Sequence, residues 1–89
     1  MGHMTLSSAE IEKLVSDRMT ECGLKMERLL SVRADGIVGL AILWESPKTG
    51  TFGVSSGVIQ EDRLVRLFFG MTGLTREVAE QVLRARWHD

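Results

Sequence analysis

The stretch "DGIVGLAILW", residues 35–44, places a strong turn signal directly before a long apolar run. An Asp-Gly pair between apolar segments predicts a β-hairpin, because a type I′ turn needs a positive φ at both of its central positions. With Asp35 and Gly36 as the loop, Ala34 faces Ile37 across the hairpin. This register decides the fold, because a slip of one residue would turn every side chain to the opposite face.

A second reversal follows at "SPKTG", residues 46–50. Pro47 presets a turn dihedral there, and Gly50 tolerates a left-handed one. The third strand is predicted over residues 51–56, which completes a three-stranded antiparallel meander. The predicted register pairs Val32 with Gly39, Leu30 with Ala41, Arg28 with Leu43, Val54 with Leu43 and Gly53 with Trp44.

The two faces of the predicted sheet differ in the side chains that they present. One face, which we assign to the protein's own helices, collects Met26, Leu30, Val32, Ile37, Leu43 and Val54 around the small residues Gly39 and Ala41. On the opposite face the outer strands are largely polar, whereas the middle strand is apolar throughout. The sequence therefore predicts an apolar stripe for a partner to cover, formed by Leu29, Val38, Leu40, Ile42 and Trp44.

Three helices are predicted outside the meander. The first covers residues 8–22, where Ser7 and Glu10 have the spacing of a capping box and Gly23 is placed to end the helix. The apolar pattern of residues 60–70 predicts a second helix, and Thr75 is the predicted N-cap of a third helix that continues to residue 87. The sequence thus predicts an α+β fold in the order α-β-β-β-α-α, a three-stranded antiparallel meander with one N-terminal and two C-terminal helices.

The composition limits the class of protein. The 89 residues are 44% hydrophobic and 26% charged, which suits one small globular domain. Because 11 basic residues stand against 12 acidic ones, the net charge favours neither nucleic acid nor an anionic membrane. The first residues, "MGHM", are typical of a cloning scar over residues 1–3, which leaves residues 4–89 as the predicted domain. The single cysteine, Cys22, fits the reducing cytoplasm.

The two predicted C-terminal helices have the spacing of a helix-turn-helix. Against DNA binding, Phe69 stands where the tight helix crossing usually needs a small residue, and acidic residues balance the arginines. The order of elements also resembles that of the double-stranded-RNA-binding domain, although Glu61 and Asp62 stand where that family carries basic residues. Nucleic-acid binding is therefore the alternative function, with Arg63, Arg66, Arg76, Arg84 and Arg86 as its candidate contacts.

The sequence shows no pattern for catalysis or for binding a metal or cofactor. His88 is the only histidine outside the scar and lies one residue from the C-terminus, so no rigid Cys–His or Ser–His pair is predicted. Cys22 falls on the apolar side of the first helix, which predicts an inert, buried thiol. The segment "GTFGVSSG", residues 50–57, lacks both the lysine of a P-loop and the spacing of a dinucleotide-binding motif. We therefore expect a protein without enzymatic activity and without a cofactor.

These observations favour a small protein–protein interaction or regulatory module, homodimeric or bound to another protein through the apolar stripe. Trp44 is the expected anchor of that interface. The sequence also leaves an intramolecular alternative, in which the first helix covers one face of the meander and the last two helices cover the other. In that arrangement the stripe belongs to the core and offers no surface to a partner.

Overall fold

The computed structural model describes residues 6–86, which fold around one antiparallel sheet. The elements in chain order are helix α1 (Ser8–Glu21), strands β1 (Lys25–Ala34), β2 (Ile37–Ser46), β3 (Thr51–Gln60) and β4 (Arg63–Leu74), and helix α2 (Arg76–Arg86). The four strands lie side by side in the order β1-β2-β3-β4, so each strand is joined to the next by a hairpin.

The turn at Asp35 and Gly36 lies where the sequence predicts it. Both residues have a positive φ, 53° and 77°, as a type I′ turn requires. The predicted pairs are all present: Ala34–Ile37, Val32–Gly39, Leu30–Ala41, Arg28–Leu43, Val54–Leu43 and Gly53–Trp44. The assignment of Met26 is wrong, because the ladder shifts between Met26 and Arg28 and turns Met26 to the face of Trp44.

The prediction of three strands and two C-terminal helices is wrong. Residues 60–74 form a second tight turn and the strand β4, and β3 continues to Gln60. Glu61 and Asp62 both have a positive φ, 54° and 64°, so they close a hairpin in the manner of Asp35 and Gly36. Within residues 6–86 there is accordingly no helix-turn-helix, and the order of elements departs from that of the double-stranded-RNA-binding domain.

Strand β4 is irregular along its length. Residues 63–74 of β4 face residues 52–60 of β3, so β4 carries three extra residues and the register shifts in three places. Such bulges bend an edge strand and make it a poor template for pairing with another chain. Gly70 and Gly73 have positive φ values, 23° and 70°, which explains why glycine occurs twice in this strand.

The predicted starts of the first and the third helix are confirmed. The Ser7 hydroxyl accepts a hydrogen bond from the Glu10 amide at 3.2 Å, and the Glu10 carboxylate accepts one from the Ser7 amide at 2.8 Å. The Thr75 hydroxyl accepts a hydrogen bond from the Val78 amide at 3.2 Å, as an N-cap does. The burial predicted for Cys22 is wrong, because this residue caps the C-terminus of α1 and its side chain is exposed.

One helix lies on each face of the sheet, and we name the faces after them. The core of the α1 face consists of Ile11, Val15, Met19, Val38, Leu40, Ile42, Trp44 and Ile59. The core of the α2 face consists of Ala41, Leu43, Phe52, Val54, Ala79 and Leu83. Two ion pairs also connect α2 to β1, Arg76 with Glu27 at 3.5 Å and Arg28 with Glu80 at 4.0 Å.

Residues 76–86 of α2 cover only part of its face, because a helix rises less per residue than a strand does. The 11 residues of α2 span about 16 Å, whereas a strand of 10 residues spans about 33 Å. The helix starts after the end of β4 and runs back along the sheet as far as Ser56, whose hydroxyl accepts a hydrogen bond from Arg86 Nη1 at 2.9 Å. The part of the α2 face that lies toward the hairpin turns is beyond Arg86, the last residue that the structure describes.

Candidate protein-interaction surface

The residues that the sequence analysis assigns to a partner surface lie inside the protein. Val38, Leu40, Ile42 and Trp44 are at most 4% exposed, and Leu29 packs against the same core cluster. Their alternation along the strands is as predicted, but α1 of the same chain covers them. The intramolecular alternative is therefore correct for this face, and the stripe presents no surface to a partner.

Trp44 is held as a core residue by contacts on several sides. Its indole Nε1 donates a hydrogen bond to the buried hydroxyl of Ser55 at 2.8 Å. Its ring lies over Gly53, where any side chain would collide with the ring and would stand only 2.7 Å from the carbonyl oxygen of Met71. Phe69 meets the ring edge-on, with 6.2 Å between centroids. These contacts explain the tryptophan without an external partner.

The candidate nucleic-acid contacts do not share a helical pair. Arg63 and Arg66 lie on the strand β4, whereas Arg76, Arg84 and Arg86 lie on α2. Arg76 is engaged within the chain, because it pairs with Glu27 and its guanidinium lies 4.6 Å from the centroid of the Phe52 ring. The element proposed for groove recognition is therefore not formed.

Several exposed apolar side chains of the sheet lie on the α2 face toward the hairpin turns. Two others do not belong to this group, because Val65 lies in a bulge of β4 and Phe69 packs against Trp44 on the α1 face. Phe68 is 64% exposed, Val32 49% and Ile37 38%, while Val58 is half-buried between them. The register brings these residues together. Val32 and Val58 both pair with Gly39, from opposite sides. Phe68 pairs with Ser56, which precedes Val58 by two residues on β3. We name the group Val32, Ile37, Val58 and Phe68 the open half of the α2 face.

The open half is comparable in area to the largest apolar patch of a typical monomer. Together with Met71, which is 44% exposed and extends the patch along β4, it presents apolar surface on the order of 300 Å². Isolated exposed apolar residues are normal on a protein surface, but the largest apolar patch of a monomer is often functional. The open half is therefore the candidate functional site.

Charged residues lie at both ends of the open half. Asp35, Glu61 and Asp62 form the two hairpin turns at one end of it. Arg84 and Arg86 lie in the last turn of α2, at the other end. Arg66 lies on the patch itself, opposite Val58, and it forms no ion pair with any residue in the range 6–86. Arg63 follows Asp62 at the turn end, so that end carries charges of both signs, whereas the end at α2 is basic.

Sequence reasoning missed this site because it assigned residues 60–70 to a helix. Two signals point to a strand: Val58, Ile59 and Val65 are β-branched, and Gly57, Gly70 and Gly73 all disfavour a helix. The pair Glu61-Asp62 is a weak turn signal, because neither residue is the Asn or Gly that a type I′ turn prefers.

A cleft beside α1 offers no comparable chemistry. A cleft of about 340 Å³ lies between α1 and the β3–β4 turn and is lined by Leu14, Asp17, Arg18, Glu21, Asp62, Arg63 and Leu64. Asp17 pairs with Lys13 at 2.9 Å, and Glu21 pairs with Arg18 at 3.8 Å. Over residues 6–86, no group of three or more histidine, cysteine or acidic side chains is placed to hold a metal ion.

Comparison with protein-family models, with curated proteins and with solved structures found no match. Neither of the two helices between residues 6 and 86 has the length and apolar character needed to cross a membrane.

Proposed function

We propose that the protein is a non-catalytic protein-interaction module that binds through the open half of the α2 face. The observation that carries the proposal is the exposure of Phe68, which at 64% is the most exposed large apolar side chain of the described residues. Burying a phenylalanine side chain is worth about 1.5–3 kcal/mol, so a partner that covers Phe68 and its neighbours gains substantial free energy. The proposal keeps the interaction role expected from the sequence and moves it to the opposite face.

The chemistry of the open half defines the kind of partner. Its centre of Val32, Val58 and Phe68 calls for apolar side chains. The guanidinium of Arg66 beside them pairs with no other residue of the described range, and it calls for a carboxylate. A hydrogen-bonded ion pair at the edge of an apolar contact adds orientation and a faster association rate more than affinity. The partner is therefore a protein surface that combines apolar and acidic residues.

The same proposal places the protein in a reducing compartment such as the cytoplasm. The thiol of Cys22 is exposed and free of any disulfide in the described part of the chain. A free surface thiol is compatible with the reduced state of cytoplasmic proteins.

Selection from a random peptide library displayed on phage tests the proposed function directly. The wild-type chain is compared with Phe68→Asp, which places a charge at the centre of the patch. Val78→Asp is the matched control, because Val78 is 43% exposed but lies on α2. An acidic residue in the first turn of a helix is also favourable. We expect enriched peptides to be apolar and acidic, and to bind wild type and Val78→Asp but not Phe68→Asp. The proposal is overturned if no peptide is enriched on wild type, or if the peptides bind all three proteins equally.

A further inference from the structure

We infer that residues 87–89, which directly follow α2, bind the open half of their own chain through Trp87 and compete there with the partner; this rests on the proposed function. The segment reads Trp-His-Asp. It combines an apolar ring with a carboxylate two residues later, which is the chemistry that the open half requires of a partner. A segment tethered beside its site is present at a high effective concentration, so even a weak contact is populated.

Helix α2 directs the residues that follow it at the open half. The helix starts after the end of β4 and runs toward the hairpin turns. The side chain of Arg86 lies at the border of the patch, where Nη1 donates a hydrogen bond to the Ser56 hydroxyl at 2.9 Å. Ser56 pairs with Phe68 and precedes Val58 by two residues. The sequence therefore enters the layer above the open half directly after Arg86.

The spacing of the buried side of α2 continues to position 87. Ala79 and Leu83 are four residues apart, and both are fully buried against the sheet. Side chains four residues apart lie on the same side of a helix, so Trp87 is the next member of this row. One more turn of helix advances about 6 Å, which corresponds to about two residues of a strand. Leu83 shares a cluster with Ala41, and the residue two positions nearer the turn on β2 is Gly39.

Two contacts fix the rotation of α2 about its axis. Glu80 faces β1, where its carboxylate lies 4.0 Å from the guanidinium of Arg28. Arg86 faces β3 instead, through its hydrogen bond to Ser56. Because seven residues make close to two full turns of a helix, position 87 lies on the same side as Glu80. Trp87 is thereby assigned to the part of the open half that β1 and β2 form.

This part of the open half has a shallow depression that suits an aromatic ring. Gly39 has no side chain and lies between Val32 and Val58, its partners on the two neighbouring strands. Val32 is 49% exposed, and Gly39 and Val58 are half-buried. A flat ring can lie on the Gly39 backbone between the two valines, as the ring of Trp44 lies over Gly53 on the α1 face.

The size and the charge of the open half also fit this segment. A tryptophan buries about 150–250 Å², which matches an apolar patch on the order of 300 Å². Arg66, opposite Val58, pairs with no residue in the range 6–86, and Asp89 supplies a carboxylate two residues after Trp87. Phe68 stays exposed, so a partner can contact it first and then displace Trp87.

Acrylamide quenching of tryptophan fluorescence in the full chain tests the intramolecular contact. The chain has two tryptophans, and Trp44 is 4% exposed, so quenching reports mainly on Trp87. We expect both rings to be shielded in wild type. Val32→Asp should make one ring accessible to acrylamide and shift the emission to longer wavelength. Val78→Asp is the matched control, because Val78 is similarly exposed, at 43%, but lies outside the patch, and it should leave both rings shielded. Circular dichroism verifies that each variant is folded.

Binding of the selected peptides tests the competition. The apparent affinity of a site falls with the fraction of molecules in which the site is free. A segment that occupies the open half about nine-tenths of the time therefore raises the dissociation constant about 10-fold. We expect Trp87→Ala to lower the dissociation constant of the peptides by about this factor. Trp87→Phe keeps an aromatic ring and should lower it less.

The outcomes separate the inference from the proposed function. An accessible Trp87 in a wild-type chain that binds the selected peptides through Phe68 overturns the inference and leaves the proposed function standing. A peptide affinity that Trp87→Ala leaves unchanged or weakens also overturns the inference, because the ring then does not compete with the partner. A shielded Trp87 that Val32→Asp exposes, in a chain that enriches no peptide, overturns the proposed function and supports the intramolecular contact.

Discussion

The substitution Gly53→Ala tests the packing that holds the centre of the sheet. A Cβ at this position collides with the Trp44 ring and comes within 2.7 Å of the Met71 carbonyl oxygen. The strand cannot retreat from both, so the ring must move. Because Trp44 is 4% exposed, its displacement also disturbs the α1 core and breaks the hydrogen bond from Nε1 to Ser55.

Two contributions set the magnitude. Forcing an extra group into a close-packed core costs about 1–3 kcal/mol. Leaving the buried indole N–H or the Ser55 hydroxyl without its partner costs about 1–3 kcal/mol more. We expect Gly53→Ala to lower the free energy of unfolding by about 3 kcal/mol, and to lower the Tm by about 15 °C for a chain of this size.

Urea unfolding followed by circular dichroism measures the change, and Gly57→Ala is the matched control. Gly57 lies on the same strand and the same face, but a Cβ there meets the Arg66 carbonyl oxygen at 3.1 Å and the flexible Leu40 side chain at 3.3 Å. We expect this control to change stability by less than about 1 kcal/mol. Equal losses at the two positions, or a loss below about 1 kcal/mol at Gly53, would refute the reasoning.

Two further predictions concern the hydrogen bond and the turns. Ser55→Ala should lower the free energy of unfolding by about 1–3 kcal/mol, because it leaves the buried Trp44 N–H without a hydrogen-bond partner. The neighbouring Ser56→Ala should lower it by about 0.5 kcal/mol or less, because the hydrogen bond from Arg86 to Ser56 is exposed. Equal effects of the two substitutions in urea unfolding would contradict this. Gly36→Ala should lower the free energy of unfolding by about 1–2 kcal/mol, because φ is 77° at this position. Glu61→Asn should raise the free energy of unfolding by about 0.5 kcal/mol, because asparagine tolerates the φ of 54° better than glutamate does. Thermal unfolding in dilute solution tests both turn variants, and a stabilising Gly36→Ala would show that the first turn is not left-handed.

The two hairpins show why one part of the fold was predictable and another was not. An Asp-Gly pair between apolar runs is among the strongest short-range signals of a hairpin, so it determined the first turn and the register and faces of β1 and β2. The turn at residues 46–50 then placed β3. The turn at Glu61-Asp62 has the same left-handed backbone with two residues that seldom adopt it. Its conformation follows from the pairing of β3 with β4, which is a tertiary effect and not a local one.

The covering of the predicted stripe depends on where a helix docks. The sequence identified the apolar side of α1 through Ile11, Val15 and Met19, and it identified the stripe of β2. Amphipathic spacing shows that a helix has a face to bury, but not which of two apolar sheet faces receives it. The choice of face rests on the short connection at Gly23 and on the fit of the side chains, which only the structure shows.

Apolar residues on both faces of β4 make this strand hard to recognise from the sequence, and they also create the open half. A strand is recognised by alternation of apolar and polar residues, and alternation is lost when both faces are apolar. In β4, Leu64 and Leu67 turn to the α1 core, while Phe68 turns to the open half. Phe68 therefore occupies a position where a polar residue would have given the alternating pattern of a strand. If a second chain buries Phe68, its apolar character is explained by the assembled protein, and the apparent helix of residues 60–70 is a strand with two buried faces.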